Sequence, residues 1–174
     1  MNRLLCRSSL LLGGCLAGCF SASPPAPPVR YFDPLPAQAE RGEAVGTGSL
    51  RVVAAEHLGR EFVVRTDARE LVFDPLHSWI ALPRALVEAT LRRAPPVTGD
   101  GGAPLEVFVV AFELDLTHEP RAHVGIEVRE PGLPMRRLDG WAPALGAEPG
   151  QMAAAMAVAL SNLAQEWGQL RQVR

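Results

Sequence analysis

Apolar residues recur at every second position in some stretches of this chain and at every third or fourth in others, and the change of period marks the elements. Leu50 to Ala55 reads as a strand, and Glu61 to Thr66 follows as a second after a His57-Leu58-Gly59 turn. Arg69 to Phe73 completes a hairpin with the second strand across Thr66-Asp67-Ala68. Leu105 to Leu114 is the strongest strand, apolar on both faces at Val107, Phe108, Val109, Val110 and Phe112, so it is expected at the centre of a sheet. Val124, Ile126 and Val128 alternate with Gly125, Glu127 and Arg129, the pattern of a strand with one buried face. Pro131-Gly132 turns that strand towards a short segment around Met135 to Leu138. Tyr31 and Phe32 before Asp33-Pro34 form a short strand ending in a turn, because a residue before proline is pushed away from helix. Ala37 to Ser49 is polar and glycine-containing, a loop.

Helical spacing appears twice. From Trp79 or Ile80 to Arg93, Leu82, Leu86, Val87, Thr90 and Leu91 share a face; Ser78 is placed to cap the helix and Pro83 falls in its first turn. From Pro149 to Leu170, Met152, Met156, Leu160, Leu163, Trp167 and Leu170 form one stripe, with Gln165, Glu166 and Gln169 outside it. Strands with helices at unequal intervals predict one α+β domain, a mixed or antiparallel sheet covered on one face by two main helices. The methionine stripe could line a lipid groove, but helix-on-sheet packing explains it and is the reading we favour.

The N-terminus breaks this pattern. Arg3 and Arg7 precede an apolar run from Leu10 to Leu16, which is too short to span a bilayer, where ~20 apolar residues are needed. The run ends in Leu16-Ala17-Gly18-Cys19, the small-residue cleavage site of a secretory signal and also the lipobox of a bacterial lipoprotein. Cleavage between Gly18 and Cys19 makes residues 1–18 the signal peptide and leaves Cys19 to be acylated as the new N-terminus. Cys6 and Cys15 leave with the signal, so the mature chain holds one cysteine and no internal disulfide. Several acyl chains together make a permanent anchor, whereas one holds weakly. Residues 19–29 then form a lipidated Pro/Ser-rich tether, and residues 30–174 the domain. Polyproline II at ~3.1 Å per residue would make Phe20 to Val29 a semi-rigid stalk of ~30 Å.

Composition narrows the partners. All seventeen basic residues are arginine; two lie in the signal, leaving fifteen against nineteen acidic residues and a mature net charge of −4. No basic tract exceeds an arginine pair, so nucleic acid is not expected as a partner. The all-arginine usage reads as composition bias alongside abundant Ala, Gly and Pro, since the arginines are scattered.

Candidate chemistry is sparse. There is no Gly-x-Ser-x-Gly elbow, phosphate-cradling glycine loop or His-Glu-x-x-His, and no thiol besides Cys19 in the mature chain. His118 and His123 flank Glu119 but lack the convergent third and fourth ligands of a zinc site, and we read them as solvated loop histidines. Glu113 and Asp115 lie two apart on a strand, hence on one face. They could pair for acid-base work, but the wet end of a buried strand accounts for them. Trp79 and Trp141 stand beside turns, Trp79 as a core plug at a helix start. No metal or cofactor is expected, and no enzyme activity.

One resemblance runs through the whole mature chain. Arg30-Tyr31-Phe32-Asp33-Pro34-Leu35-Pro36 follows the stalk, then the valine-rich Leu50-Arg51-Val52-Val53. Leu71-Val72-Phe73-Asp74-Pro75-Leu76-His77-Ser78-Trp79 leads into Leu82-Pro83-Arg84-Ala85-Leu86, and Val109-Val110-Ala111-Phe112 precedes a terminal amphipathic helix. In order and spacing these segments resemble the PqiC-like family of ABC-type transport auxiliary lipoproteins. Phe73 stands where a tyrosine is usual, and the strand at Val124 to Val128 lacks a tryptophan often present there.

The resemblance implies a non-catalytic accessory of an intermembrane lipid transport system, with an MCE-domain periplasmic protein and ABC transporter subunits as partners. Its motif residues here, Tyr31, Pro34, Phe73, Trp79 and Phe112, would be structural or partner-facing. Phe20 after Cys19 resembles the sorting signal for the outer membrane, where the acyl chains would meet outer-membrane lipids on the periplasmic face. A homo-oligomer is compatible with this picture. The competing expectation is a stand-alone lipid-binding or envelope-assembly lipoprotein.

Overall fold

β5 is the strand around which the sheet assembles. The computed structural model of the chain describes residues 26–35, 50–94 and 105–172, apart from the side chains of the last two. The expected signal peptide, Cys19, most of the expected tether and the expected loop of residues 37–49 lie outside the described residues. The strands are β1 (Arg30–Phe32), β2 (Leu50–Ala54), β3 (Glu61–Asp67), β4 (Glu70–Trp79), β5 (Leu105–Asp115), β6 (Arg121–Arg129) and β7 (Arg136–Pro143). The helices are α1 (Pro83–Arg93) and α2 (Pro149–Gln172).

The sheet order is β1-β4-β3-β5-β6-β7, and β2 joins β5 beside β3. β2 takes the first half of β5, Leu50 opposite Leu105, while β3 takes its end, Val64 opposite Leu114. The pairs β1–β4, β2–β5 and β3–β5 are parallel and the rest antiparallel, so the sheet is mixed. α2 packs on β6 and β7, α1 on β2 and β5, and the two helices touch each other in one layer. This is the single α+β domain with two helices on a mixed sheet that the hydrophobic pattern predicts.

A bulge explains why β5 is apolar on both faces. Val107 and Val109 pair with Val128 and Ile126, but the next register is Ala111 with Gly125, which leaves Val110 between partners. The extra residue reverses the alternation, so Phe112 and Leu114 return to the face of Val107 and Val109. That face is the core: Val107, Val109, Phe112, Leu114, Val124 and Ile126 are buried against Met152, Met156, Leu160 and Leu163 of α2. Gly140 of β7 brings the helix close. A Cβ there would meet the carbonyl oxygen of Ala159 and lie 2.9 Å from Leu163 Cβ.

Two elements differ from the expected boundaries. β4 runs through Pro75 to Trp79 rather than stopping near Phe73. The register slips between Phe62–Asp74 and Glu61–Ser78, so Pro75 falls in an irregularity where no ladder N–H is required. Pairing with β1 then keeps residues 77–79 extended. Ser78 is therefore a buried strand residue and not the helix cap; α1 starts at Pro83, with Leu82 in the cap position and no side-chain cap bond. β7 is also longer than its apolar content suggests, because it is an edge strand zipped to β6 from Val128–Arg136 to Arg121–Pro143. Pro131-Gly132 does make the connecting turn, with Gly132 at φ 79° and Leu133 N–H donating to the Glu130 carbonyl at 3.1 Å.

Candidate functional site: a charged lattice on the open sheet face

The face of the sheet away from the helices is organised by strand alternation. Glu113 and Asp115 on β5, Arg121 and His123 on β6, and Arg137 and Asp139 on β7 are each two residues apart, and cross-strand register lines them up. Glu113 lies opposite His123, Asp115 opposite Arg121, and Arg65 of β3 opposite Asp115.

Arg65 holds Glu113 with two parallel bonds, Nε to Oε1 and Nη2 to Oε2, both 2.8 Å. His123 lies between carboxylates, Nδ1 3.3 Å from Glu113 Oε1 and Nε2 2.8 Å from Asp139 Oδ1. Arg137 Nε closes this chain of contacts on Asp139 Oδ2 at 3.0 Å. Beside it, Asp115 accepts from Arg121 at 2.7 and 2.8 Å and from the Thr117 hydroxyl and N–H at 2.6 and 2.9 Å. Trp141 stacks flat on His123, ring centroids 3.7 Å apart and planes 4° apart, with the Arg121 guanidinium 4.4 Å from its ring centroid. Gly125 leaves room for this layer, since a Cβ there would come 2.9 Å from Asp139 Oδ1.

Burial alone would raise the pKa of Glu113, but the bonds from His123 and Arg65 outweigh it and hold the carboxyl down at about 2. Asp115 is likewise pushed up by burial and brought down to about 2 by Thr117 and Arg121. Asp139 is lowered by Arg137 and His123 against the same opposing burial. These groups are fixed anions near neutral pH, with their oxygens already engaged. Among the described residues no set of His, Cys, Asp or Glu converges as metal ligands.

A hollow of about 520 Å³ opens over the lattice, lined in part by Arg65, Asp67, Glu113, Asp115, Arg121 and Trp141. A second, of about 350 Å³, lies across Arg121 and Trp141 against Pro120, Ala142 and Pro143. Among the described residues no helix is long and apolar enough to cross a membrane.

The expectation of solvated loop histidines is corrected for His123, which is a strand residue only 5% exposed; His118 is exposed in the β5–β6 loop. Glu113 and Asp115 share a face as their spacing requires, but they are buried, not the wet end of a strand. Arg65 and Arg121 engage them. β6 is correspondingly buried on both faces rather than one. The missed signal is the repeat of charged residues two apart in three successive strands; only their register shows that they meet.

The family-motif residues lie elsewhere. Trp79 is in the core, stacked on Phe62 at 4.1 Å and edge-on to Phe112 at 5.2 Å, at the end of β4 rather than at a helix start. Pro34 is buried, whereas Tyr31 and Phe73 are exposed on and near the β1–β4 edge. Gly18 and Cys19 lie outside the described residues.

Among solved structures the fold has counterparts. Protein XCC0632 from Xanthomonas campestris, described as a DUF330 protein, superposes with a TM-score of 0.56 at 17% identity, covering 82% of this chain and 92% of that one. An uncharacterized protein matches with a TM-score of 0.56 at 14% identity, over 84% of this chain and 98% of that one. The likeness is one of fold. No family model and no curated protein matches the sequence.

Proposed function

We propose that this chain is a lipid-anchored, non-catalytic accessory of an MCE/ABC-type intermembrane lipid transport system, docking or anchoring the periplasmic conduit at the outer membrane. The observation that carries the reading is the fold match over 92% of a DUF330 protein, a label we take to cover the PqiC-like auxiliary lipoproteins. The lipobox at Cys19 and the ordered motifs from Tyr31 to Phe112 support it. So does the chemistry of the open face: carboxylates held as anions by His123 and Arg65 at Glu113, and by Thr117 and Arg121 at Asp115, neither lend nor take a proton near pH 7. Fold alone assigns no activity, so the partner decides. Solubilised from its own membrane in mild detergent, the acylated chain should co-purify with an MCE-domain protein. A clean purification that recovers none would sink the reading.

A further inference from the structure

β1 sets the direction from which the tether reaches the domain. It lies parallel to β4, Arg30 opposite His77 and Phe32 opposite Trp79, so its N-terminal side points back along β4 towards Glu70 and the β3–β4 turn. That same end of the sheet carries the end of β5, the start of β6 and the end of β7. Both hollows are there, together with Leu145, which is 96% exposed just beyond β7.

Chain length limits the separation. Cys19 precedes Arg30 by eleven residues, at most about 36–40 Å at ~3.3–3.6 Å per residue. The seven residues from His77 back to Glu70 span about 23 Å at ~3.3 Å each. An anchor on Cys19 can therefore lie only ~15 Å beyond the turn when the tether is straight. Presenting the opposite end, with Ile80 and the β6–β7 turn, would require the tether to reverse before β1.

The chemistry of this end matches an amphiphile carrying both charges. Around the larger hollow Arg65 is paired with Glu113 and Arg121 with Asp115, and Asp67 and His118 complete the lining, so its charges are balanced and favour a ligand carrying both charges over one of a single sign. The smaller hollow shares His118, Arg121 and Trp141 with it but is walled by Pro120, Ala142 and Pro143. A mature charge of −4 disfavours a strongly anionic surface. We infer that this end of the sheet rests on the bilayer that holds the anchor. A zwitterionic phosphoethanolamine headgroup occupies the charged hollow, with Trp141 and Leu145 at the level where tryptophan is favoured in membranes. The inference rests on the anchored reading above and adds the orientation and the lipid.

The test uses the acylated chain in phosphatidylethanolamine vesicles with and without brominated acyl chains, which quench nearby indole fluorescence. Leu145→Trp and Met135→Trp place reporters at opposite ends of the sheet, both at exposed positions. Measured over the wild-type signal of Trp79, Trp141 and Trp167, quenching of the added Leu145→Trp indole should exceed that of Met135→Trp by about twofold or more, as for an indole in the interface. Equal or reversed quenching overturns the orientation. Replacing phosphatidylethanolamine by an uncharged glycolipid should weaken the Leu145→Trp signal; an unchanged signal overturns the headgroup assignment. An acylated chain that shows the expected quenching but recovers no MCE protein leaves this inference standing and sinks only the proposed function. A mature chain whose mass carries no acyl group overturns both.

Discussion

Arg65 and Glu113, 48 residues apart, meet across β3 and β5 as a two-pronged ion pair with both bonds at 2.8 Å. The pair joins the hairpin to the central strand where their backbone pairing is limited to Val64–Leu114 and Arg65–Asp115. It therefore ties one half of the sheet to the other.

Removing Arg65 leaves the Glu113 carboxylate buried against His123 without its main partner. Arg65→Ala should lower stability by about 2 kcal/mol, below the ~3–5 kcal/mol of a fully buried broken pair because Arg65 is partly exposed. The urea midpoint reports it. Adding Glu113→Ala should recover part of the loss, since the double variant no longer buries an uncompensated charge; strictly additive losses would show that the pair does not couple.

Acid should act through the same groups. Glu113 and Asp115 titrate at about 2 when folded and near 4 when unfolded. Between roughly pH 5 and 2 the unfolded chain binds more protons. Stability from these carboxylates is thus complete above about pH 5 and is lost as the pH falls through that range. Thermal midpoints of wild type should drop steeply there, and Glu113→Gln/Asp115→Asn should flatten the slope. An equal slope in both proteins would rule out this origin.

Two glycines should respond differently. Gly140→Ala drives a Cβ into the Ala159 carbonyl and against the backbone and Cβ of Leu163, so α2 must move off β7. A loss of about 2–3 kcal/mol is expected, as for overpacking a tight core. At Gly125 the closest atom is the tip of the Asp139 side chain, which can shift at the expense of its contact with His123, and Gly125→Ala should cost less, about 1 kcal/mol. Chemical denaturation of the two variants side by side gives the order.

Cys19→Ala should release the chain from the membrane fraction while the domain keeps its cooperative unfolding. Cell fractionation and circular dichroism check the two halves. If the soluble variant restores envelope function fully at normal abundance, anchoring is incidental to the activity.

Much of the fold is legible in residue order. The two helical stripes, the hairpin signals and the apolar run of β5 suffice for a mixed or antiparallel sheet under two helices, because burial of a face imposes a period that residue order records. Boundaries fail where pairing overrides local preference. Pro75 suggests an end to β4, yet β3 and β1 hold the strand extended to Trp79. Ser78 looks like a cap for the same reason that it is not one.

The site is less legible. Glu113 with Asp115 is visible as a same-face pair, but Arg65, His123 and Asp139 join it only through register across four strands. The sequence by itself determined the alternation that puts these side chains on one face, and the Leu16-Ala17-Gly18-Cys19 and proline-rich segments that precede them, since both are properties of neighbouring residues. Tertiary structure alone decided that the bulge at Val110 turns the charged half of β5 away from α2. It also decided that His123 is buried between two carboxylates, and that β1 runs parallel to β4, with its start facing the end where the hollows lie. Those relationships depend on which strand lies beside which, and strand pairing is settled by burying the whole sheet at once.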